Sequence, residues 1–205
     1  MTMNFGRVRA SYDALAADYE ERFCDELVRK PRDRALLDDF AASTGDPVVE
    51  VGCGPGHVGG YVRARGRRVI GVDFSTEMVA RARTRLDGAV AADMRALPVA
   101  SGAAGGVVAF YSLIHLPRPE LTVALGEFRR VLRAGGQVLF SAHEGEGEVV
   151  LDEFVGRPVP MIATLFVLDE LVAACDAVGL RVRHGEQREH YEGEITTRLY
   201  VLAAA

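Results

Sequence analysis

The stretch Val49-Glu50-Val51-Gly52-Cys53-Gly54-Pro55-Gly56 decides the reading of this 205-residue chain. A β-branched apolar run ends in an acid and a valine, and glycine then occupies every second position. Apolar residues resume at helical spacing from Val58. Glycine permits a tight turn and close approach of a ligand to the backbone. The segment therefore predicts a buried strand over 47–51, a binding turn, and a helix over 58–65. In a parallel sheet such a turn lies at the C-terminal edge, beside a helix N-terminus. Any strand–turn–helix junction favours glycine, so the assignment rests on what surrounds it.

The same alternation extends in both directions. Downstream, apolar runs predict strands over 68–72, 89–92, 107–111 and 137–142. Helices over 76–86 and 119–132 and a loop through Pro98 connect them. Strands alternating with helices imply parallel β-α-β units with right-handed crossovers. Upstream, Tyr12, Leu15, Tyr19 and Phe23 recur at three- and four-residue steps, which places them on one face of a helix over 11–23. Pro31 opens a second helix that carries Leu36, Leu37 and Phe40 to a stop at Gly45. Near the C-terminus a helix over 169–178 stops at Gly179. The runs 180–187 and 195–202 follow, joined by a polar turn too short for a crossover helix, and read as an antiparallel hairpin.

Acidic residues mark the ends of the first three strands. Asp73 follows Val69-Ile70-Gly71-Val72 about 20 residues beyond the first glycine, where a carboxylate meets ribose hydroxyls. Ser75 and Thr76 already supply helix-capping groups there, which leaves Asp73 spare. Asp93, with Met94, ends the third strand. Glu50, Asp73 and Asp93 thus fall on one edge of the sheet. A pyrophosphate-binding fingerprint spaces its glycines G-x-G-x-x-G. Here the spacing is G-x-G-x-G, with His57 in place of that third glycine. Glu50 would repel a pyrophosphate but could accept from an ammonium group. A ligand with an ammonium, a ribose diol and an adenine but no phosphate fits, and S-adenosylmethionine has these parts. A nicotinamide dinucleotide does not suit the spacing.

The ordered set of motifs resembles class I S-adenosylmethionine-dependent methyltransferases of the small-molecule type. Residues 50–56 and Gly71-Val72-Asp73-Phe74-Ser75-Thr76-Glu77-Met78 are similar to that family's first two motifs. Leu97-Pro98, residues 111–116 (Tyr-Ser-Leu-Ile-His-Leu) and residues 128–136 are similar to later ones. The resemblance runs in order from about Tyr12 to Leu202. It implies a Rossmann-like, doubly wound seven-stranded α/β sheet, mostly parallel with an antiparallel C-terminal strand, plus N-terminal helices. It also implies that Glu50 and the backbone of Gly52, Cys53, Gly54 and Gly56 hold the methionine portion. Asp73 would take the ribose, and Phe74 and Met78 would pack near the adenine. Asp93 would accept from the adenine amino group, with Met94 beside it, Tyr111 lining the site, and Tyr19 closing over the methionyl end. Two positions depart from the pattern. Gly106 replaces an acid common before the fourth strand, and Ala134 replaces the proline usual before the paired glycines.

Bulk composition narrows the partners. A net charge of −5, with 24 basic and 29 acidic side chains, disfavours a protein built to neutralise nucleic-acid phosphates. The tetrapeptide Asn/Asp-Pro-Pro-aromatic of base-amino methylating enzymes is missing, its place reading Tyr111-Ser112-Leu113-Ile114. Cys24, Cys53 and Cys175 are odd in number and lack metal-ligand spacing, which argues against disulfides and a metal site. No apolar run approaches membrane-spanning length. The expectation is a cytoplasmic monomer or homodimer acting on a small molecule, without nucleic acid, membrane or metal.

Methyl transfer from a sulfonium needs alignment above all, and a general base only where the acceptor must lose a proton. His115, just past the fourth strand, is the candidate base, with Tyr12, Ser112 and His143 as further acceptor-side candidates. The expected organisation is one domain over 1–205. A helical lid would span 1–45, a cofactor-binding core 46–143, a substrate-side insertion 144–168, and a C-terminal helix and hairpin 169–205. The insertion carries five acids and then Val159, Met161, Ile162, Leu165 and Phe166, which suits either a lid over an apolar cavity or a surface hairpin. A methyltransferase-like module without activity, working through a protein partner, is the competing reading. The complete set Glu50, Asp73 and Asp93 argues against it.

Overall fold

The computed structural model describes residues 5–159 and 161–205. Its chain order is α1 (Phe5–Phe23), α2 (Pro31–Ser43), β1 (Val48–Val51), α3 (His57–Arg63), β2 (Val69–Asp73), α4 (Thr76–Ala82) and β3 (Gly88–Ala91). There follow β4 (Ala104–Phe110), α5 (Leu121–Val131), β5 (Leu132–His143), β6 (Glu148–Leu151), β7 (Met161–Thr164), α6 (Leu168–Ala177), β8 (Arg181–Arg188) and β9 (Arg198–Ala204). Seven strands form one sheet in the order β3-β2-β1-β4-β5-β9-β8. Only β9 runs against its neighbours, lying between β5 and β8. The expected Rossmann-like fold with an antiparallel final strand is what the chain adopts.

Strand residues alternate between two cores, as the pleat demands. Val49, Val51, Val107, Ala109, Val138 and Phe140 face α5 and α6. Val48, Val69, Val108, Leu139 and Tyr200 face α2 and α3. The order reverses between β1 and β4, where one neighbour is reached by a crossover on each side, and loops there part to leave a crevice at the strand C-termini. α1 lies outside these layers and packs on α4 and β7.

Several boundaries differ from those read in the sequence. α1 begins at Phe5 rather than residue 11, because Val8 extends the Tyr12 and Leu15 face one turn upstream. β4 begins at Ala104 and β5 at Leu132, so the predicted end of the fifth helix is strand. The insertion folds as the hairpin β6–β7, a separate two-stranded sheet. Ile195, expected in the last strand, is 78% exposed in the connection before β9. Gly106, the departure from the family pattern, has a packing cause. A Cβ there would overlap Thr44 Oγ1 and approach Phe40 Cζ at 2.8 Å, so the glycine lets the end of α2 close on β4.

Candidate cofactor and acceptor site

One cavity of about 760 Å³, counting its open mouth, occupies the crevice at the C-terminal ends of β1, β2, β3 and β4. Its floor is the turn after β1. Gly52 holds φ +68°, and a Cβ there would overlap the side chain of Ser112, so only glycine lets these two loops meet. The Gly54 N–H donates to Asp73 Oδ2 at 2.7 Å, and the Ser75 N–H donates to Asp73 Oδ1 at 2.8 Å. Asp73 thus ties the first loop to the second while it lines the cavity. Burial pushes its carboxyl up to about 6, against those backbone donors.

Glu50 stands behind the turn rather than on the cavity wall. Its Oε1 accepts from the Gly59 N–H at 2.9 Å, while Oε2 is buried without a partner among the described residues. A Cβ at position 59 would overlap Oε2, so glycine in α3 makes the approach possible. Burial, with Asp73 adding to it, raises the Glu50 carboxyl to about 8. Cys53 and Gly56 are also off the wall. The Cys53 thiol packs in the core with Val58 and Leu86, and Gly56 meets Ala82 as α3 begins.

Val51, Val72, Phe74, Met78, Ala92 and Met94 form an apolar wall on the β2–β3 side. Asp93 lines the cavity there, with its carboxylate gripped by Arg95, which also pairs with Glu120. The Arg95 guanidinium holds the Asp93 carboxyl below the usual range.

The opposite wall comes from α1 and the turn after β4. Val8, Tyr12 and Tyr19 of α1 face Phe110, Tyr111, Ser112, His115 and Leu116 across the cavity. Leu15 of the same stripe is fully buried, and the Phe23 ring stacks on Phe154 of the insertion at 6.1 Å. α1 is pinned to α4 by charge. Asp13 accepts from Ser75 Oγ at 2.6 Å and the Glu77 N–H at 3.2 Å, and Glu20 pairs with Arg81 and Arg85. Ser112 is buried, with Oγ lacking a partner among the described residues. The Tyr12 hydroxyl lies 2.7 Å from His115 Nε2, and His115 Nδ1 lies 3.3 Å from the Ile162 carbonyl of β7. Burial lowers the imidazole to about 4 and raises the Tyr12 phenol.

Tyr111 takes φ +52°, which is costly for a side chain with a Cβ. Its hydroxyl bonds to Asp33 and Tyr200, both at 3.1 Å, and Lys30 and Arg198 sit over its ring. The ring thus belongs to the cavity wall and the hydroxyl to a buried polar network below it. His143 stacks on Tyr111 at 5.4 Å but is not part of the wall. Its Nδ1 lies 2.9 Å from Thr196 Oγ1, and burial followed by Arg198 lowers it to about 3.

Twelve expected positions therefore converge on one cavity: Tyr12, Tyr19, Gly52, Gly54, Asp73, Phe74, Met78, Asp93, Met94, Tyr111, Ser112 and His115. Glu50, Cys53, Gly56 and His143 lie outside it. Sequence reading missed Val8, Val51, Val72, Ala92, Phe110 and Leu116. Val8 falls four residues before Tyr12, a spacing that would have found it.

A strand-order reversal with a crevice built from successive strand ends defines a Rossmann-like ligand-binding domain. Residues 48–136 match the model of the methyltransferase domain family. Over 139 residues the chain is 34% identical to the malonyl-[acyl-carrier protein] O-methyltransferase of Pectobacterium atrosepticum, covering 67% of this chain and 50% of that protein. The chain thus spans about half the length of this curated relative. Among solved structures, 1,6-didemethyltoxoflavin-N1-methyltransferase of Burkholderia thailandensis shares the fold with a TM-score of 0.76 at 19% identity. The match covers 97% of this chain and 87% of that one. Magnesium protoporphyrin IX methyltransferase of Synechocystis PCC 6803 gives 0.71 at 16% identity, over 98% and 96%. The chain belongs to the class I S-adenosylmethionine-dependent methyltransferases. The cofactor that defines this family is S-adenosylmethionine. Among the described residues no helix is long and apolar enough to cross a membrane.

Proposed function

We propose that this domain transfers a methyl group to oxygen or nitrogen of a small, partly apolar acceptor by in-line displacement. The observation that carries the proposal is the two-sided cavity. One wall offers strand-end carboxylates and apolar side chains, and the facing wall offers Tyr12, Ser112 and His115. The donor set suits the family's cofactor. Gly52 and Gly54 leave backbone uncovered where a methionyl group can approach, and Asp73 presents a carboxylate for a ribose diol. Phe74, Met78 and Met94 supply an apolar bed for adenine beside Asp93, and Tyr19 stands over the glycine turn, 3.8 Å from where a Cβ of residue 54 would be. Glu50 supports the turn from behind, and its unpartnered oxygen favours a positive charge nearby. When bound, the cofactor supplies an activated methyl group on a sulfonium whose leaving group is a neutral thioether.

The chain's own residues align the reactants and exclude water. α1 covers the cavity with Tyr12 and Tyr19, and Phe154 of the insertion packs against Tyr19, which limits solvent at the reacting centre. The names of the two solved relatives and of the curated one all describe methyl transfer, which supports the reading. Calorimetric titration with S-adenosylhomocysteine and with NAD is the first test, followed by transfer of labelled methyl to small metabolites. Micromolar binding of S-adenosylhomocysteine without NAD binding is expected. Tight NAD binding with no response to S-adenosylhomocysteine would overturn it.

A further inference from the structure

We infer that Tyr12, not His115, meets the acceptor, and that the two residues form a proton relay for an acceptor bearing a hydroxyl or N–H. This inference rests on the methyltransferase reading above. The hydrogen-bond chain fixes its polarity. A peptide carbonyl can only accept, so the Ile162 oxygen at 3.3 Å requires the proton of His115 on Nδ1. Nε2 is then the bare nitrogen, and the Tyr12 hydroxyl at 2.7 Å donates to it. Both imidazole nitrogens are occupied, which leaves His115 no lone pair for an acceptor. The phenolic oxygen of Tyr12 keeps one, and Tyr12 lines the cavity. His115 therefore acts through Tyr12, as the resting place of the proton.

The step balances without an added reagent. A lone pair on the acceptor atom forms the new bond to the methyl carbon, and the pair of the broken carbon–sulfur bond stays on sulfur. The acceptor's O–H or N–H bond breaks, its electrons remaining on the acceptor atom. Its proton passes to Tyr12 Oη while the Tyr12 proton passes to His115 Nε2. Positive charge thus leaves the sulfonium and ends on an imidazolium, whose Nδ1–H bond to Ile162 is strengthened by that charge. An acceptor that becomes a strong acid as it is methylated can yield its proton even to an imidazole lowered by burial. A carboxylate or thiolate acceptor has no proton to give and would leave the relay idle. The walls beside Tyr12 are Val8, Phe110, Tyr111 and Leu116, so the acceptor is largely apolar. The relay also draws on three separate elements: α1, the turn after β4, and β7. It is complete only when the helix and the hairpin are both seated.

Two measurements test this. Nitrogen-15 NMR of histidine-labelled protein, without any acceptor, should show His115 protonated on Nδ1, with Nε2 accepting a hydrogen bond. In Tyr12→Phe the Nε2 signal should move to its unbonded position. Separately, wild type, Tyr12→Phe, His115→Gln and the double variant are assayed with S-adenosylmethionine. The acceptors are phenols of pKa stepped downward from about 10, aliphatic alcohols, indoles and carboxylic acids. Each single variant should lower kcat on neutral phenols about 10²–10⁴-fold, most on the least acidic, with S-adenosylhomocysteine binding retained. The double variant should be no slower than either single one, since the pair acts as a unit. An Nε2–H tautomer, or variants as fast as wild type on neutral phenols, would overturn the relay alone. So would a wild type that binds S-adenosylhomocysteine but methylates only carboxylates or none of the panel. A wild type that does not bind S-adenosylhomocysteine would overturn the methyltransferase reading as well.

Discussion

Replacing Asp73 by Asn separates the charge of this side chain from its shape. In the ligand-free protein burial lifts the carboxyl from 3.8 to about 6, against donors from Ser75 and Gly54. The folded state then holds the proton more tightly than the unfolded chain. Stability is therefore lost as pH rises from the unfolded value through the folded one. Between about pH 4.5 and about pH 8 this amounts to about 2 kcal/mol, an upper bound because the cavity admits water. An amide does not titrate and escapes that loss. It does leave one of the two backbone N–H groups without an acceptor, at a pH-independent cost of about 1–3 kcal/mol. Asp73→Asn should therefore melt below wild type in acid, and regain about 4–8 °C relative to it by about pH 8. Affinity should respond at the upper pH. Loss of charge-assisted bonds from the ribose diol should weaken S-adenosylhomocysteine binding by about 1.5–3 kcal/mol, roughly 10–150-fold in Kd. Thermal melts across pH and calorimetric titration read the two effects. Parallel melting profiles for the two proteins would refute the raised carboxyl, and unchanged affinity in a folded variant would refute the ribose placement.

Three further outcomes are expected. Gly52→Ala combines a left-handed backbone with overlap on Ser112, whereas Gly66→Ala meets the same backbone strain with nothing within 4 Å. In denaturant titrations the second should cost about 1–2 kcal/mol and the first clearly more, with cofactor binding lost. Asp13→Ala removes the acceptor for Ser75 Oγ and the Glu77 N–H, costing about 1 kcal/mol. If α1 is a lid, hydrogen exchange over 5–23 should rise in this variant and fall when S-adenosylhomocysteine is added; strong protection in every state would mean a permanent core helix. Glu50→Gln should leave the melting temperature at neutral pH within a few degrees, because burial already keeps that carboxyl largely neutral. A loss above about 2 kcal/mol would show that it is ionised.

The fold was legible because its signals are local and repeated. Strand, glycine turn and helix recur in residues 47–65, and Asp73 and Asp93 fall at successive strand ends, so one edge of the sheet could be assembled from spacing alone. Side-chain direction was not legible. Glu50 shares a strand with cavity residues, yet its carboxylate turns toward Gly59, and only the missing Cβ of that helix residue explains why. His143 stood second to His115 as a candidate, each read just past a strand. The difference lies in Thr196 and Arg198, brought beside His143 from the far end of the chain. Hairpin β6–β7 stayed one of two readings of the insertion because its strands are four residues long and carry no clear alternation. Tyr12 and His115 are 103 residues apart, and no periodicity links a helix face to a turn across that distance.

The position of β9 constrains the order in which the chain can reach its native state. Every residue of Arg198–Ala204 pairs with β5, and all but one of the residues of β8 pair with the same seven. Tyr200, in the strand that follows all the others of the sheet in sequence, is fully buried, and its hydroxyl bonds to Asp33 at 2.7 Å. A nascent chain that has emerged only through β8 thus has an open edge at β5, an unmated strand, and an Asp33 that lacks its Tyr200 donor. The sheet cannot close until β9 has been made, and until then the β5 edge stays open to other strands.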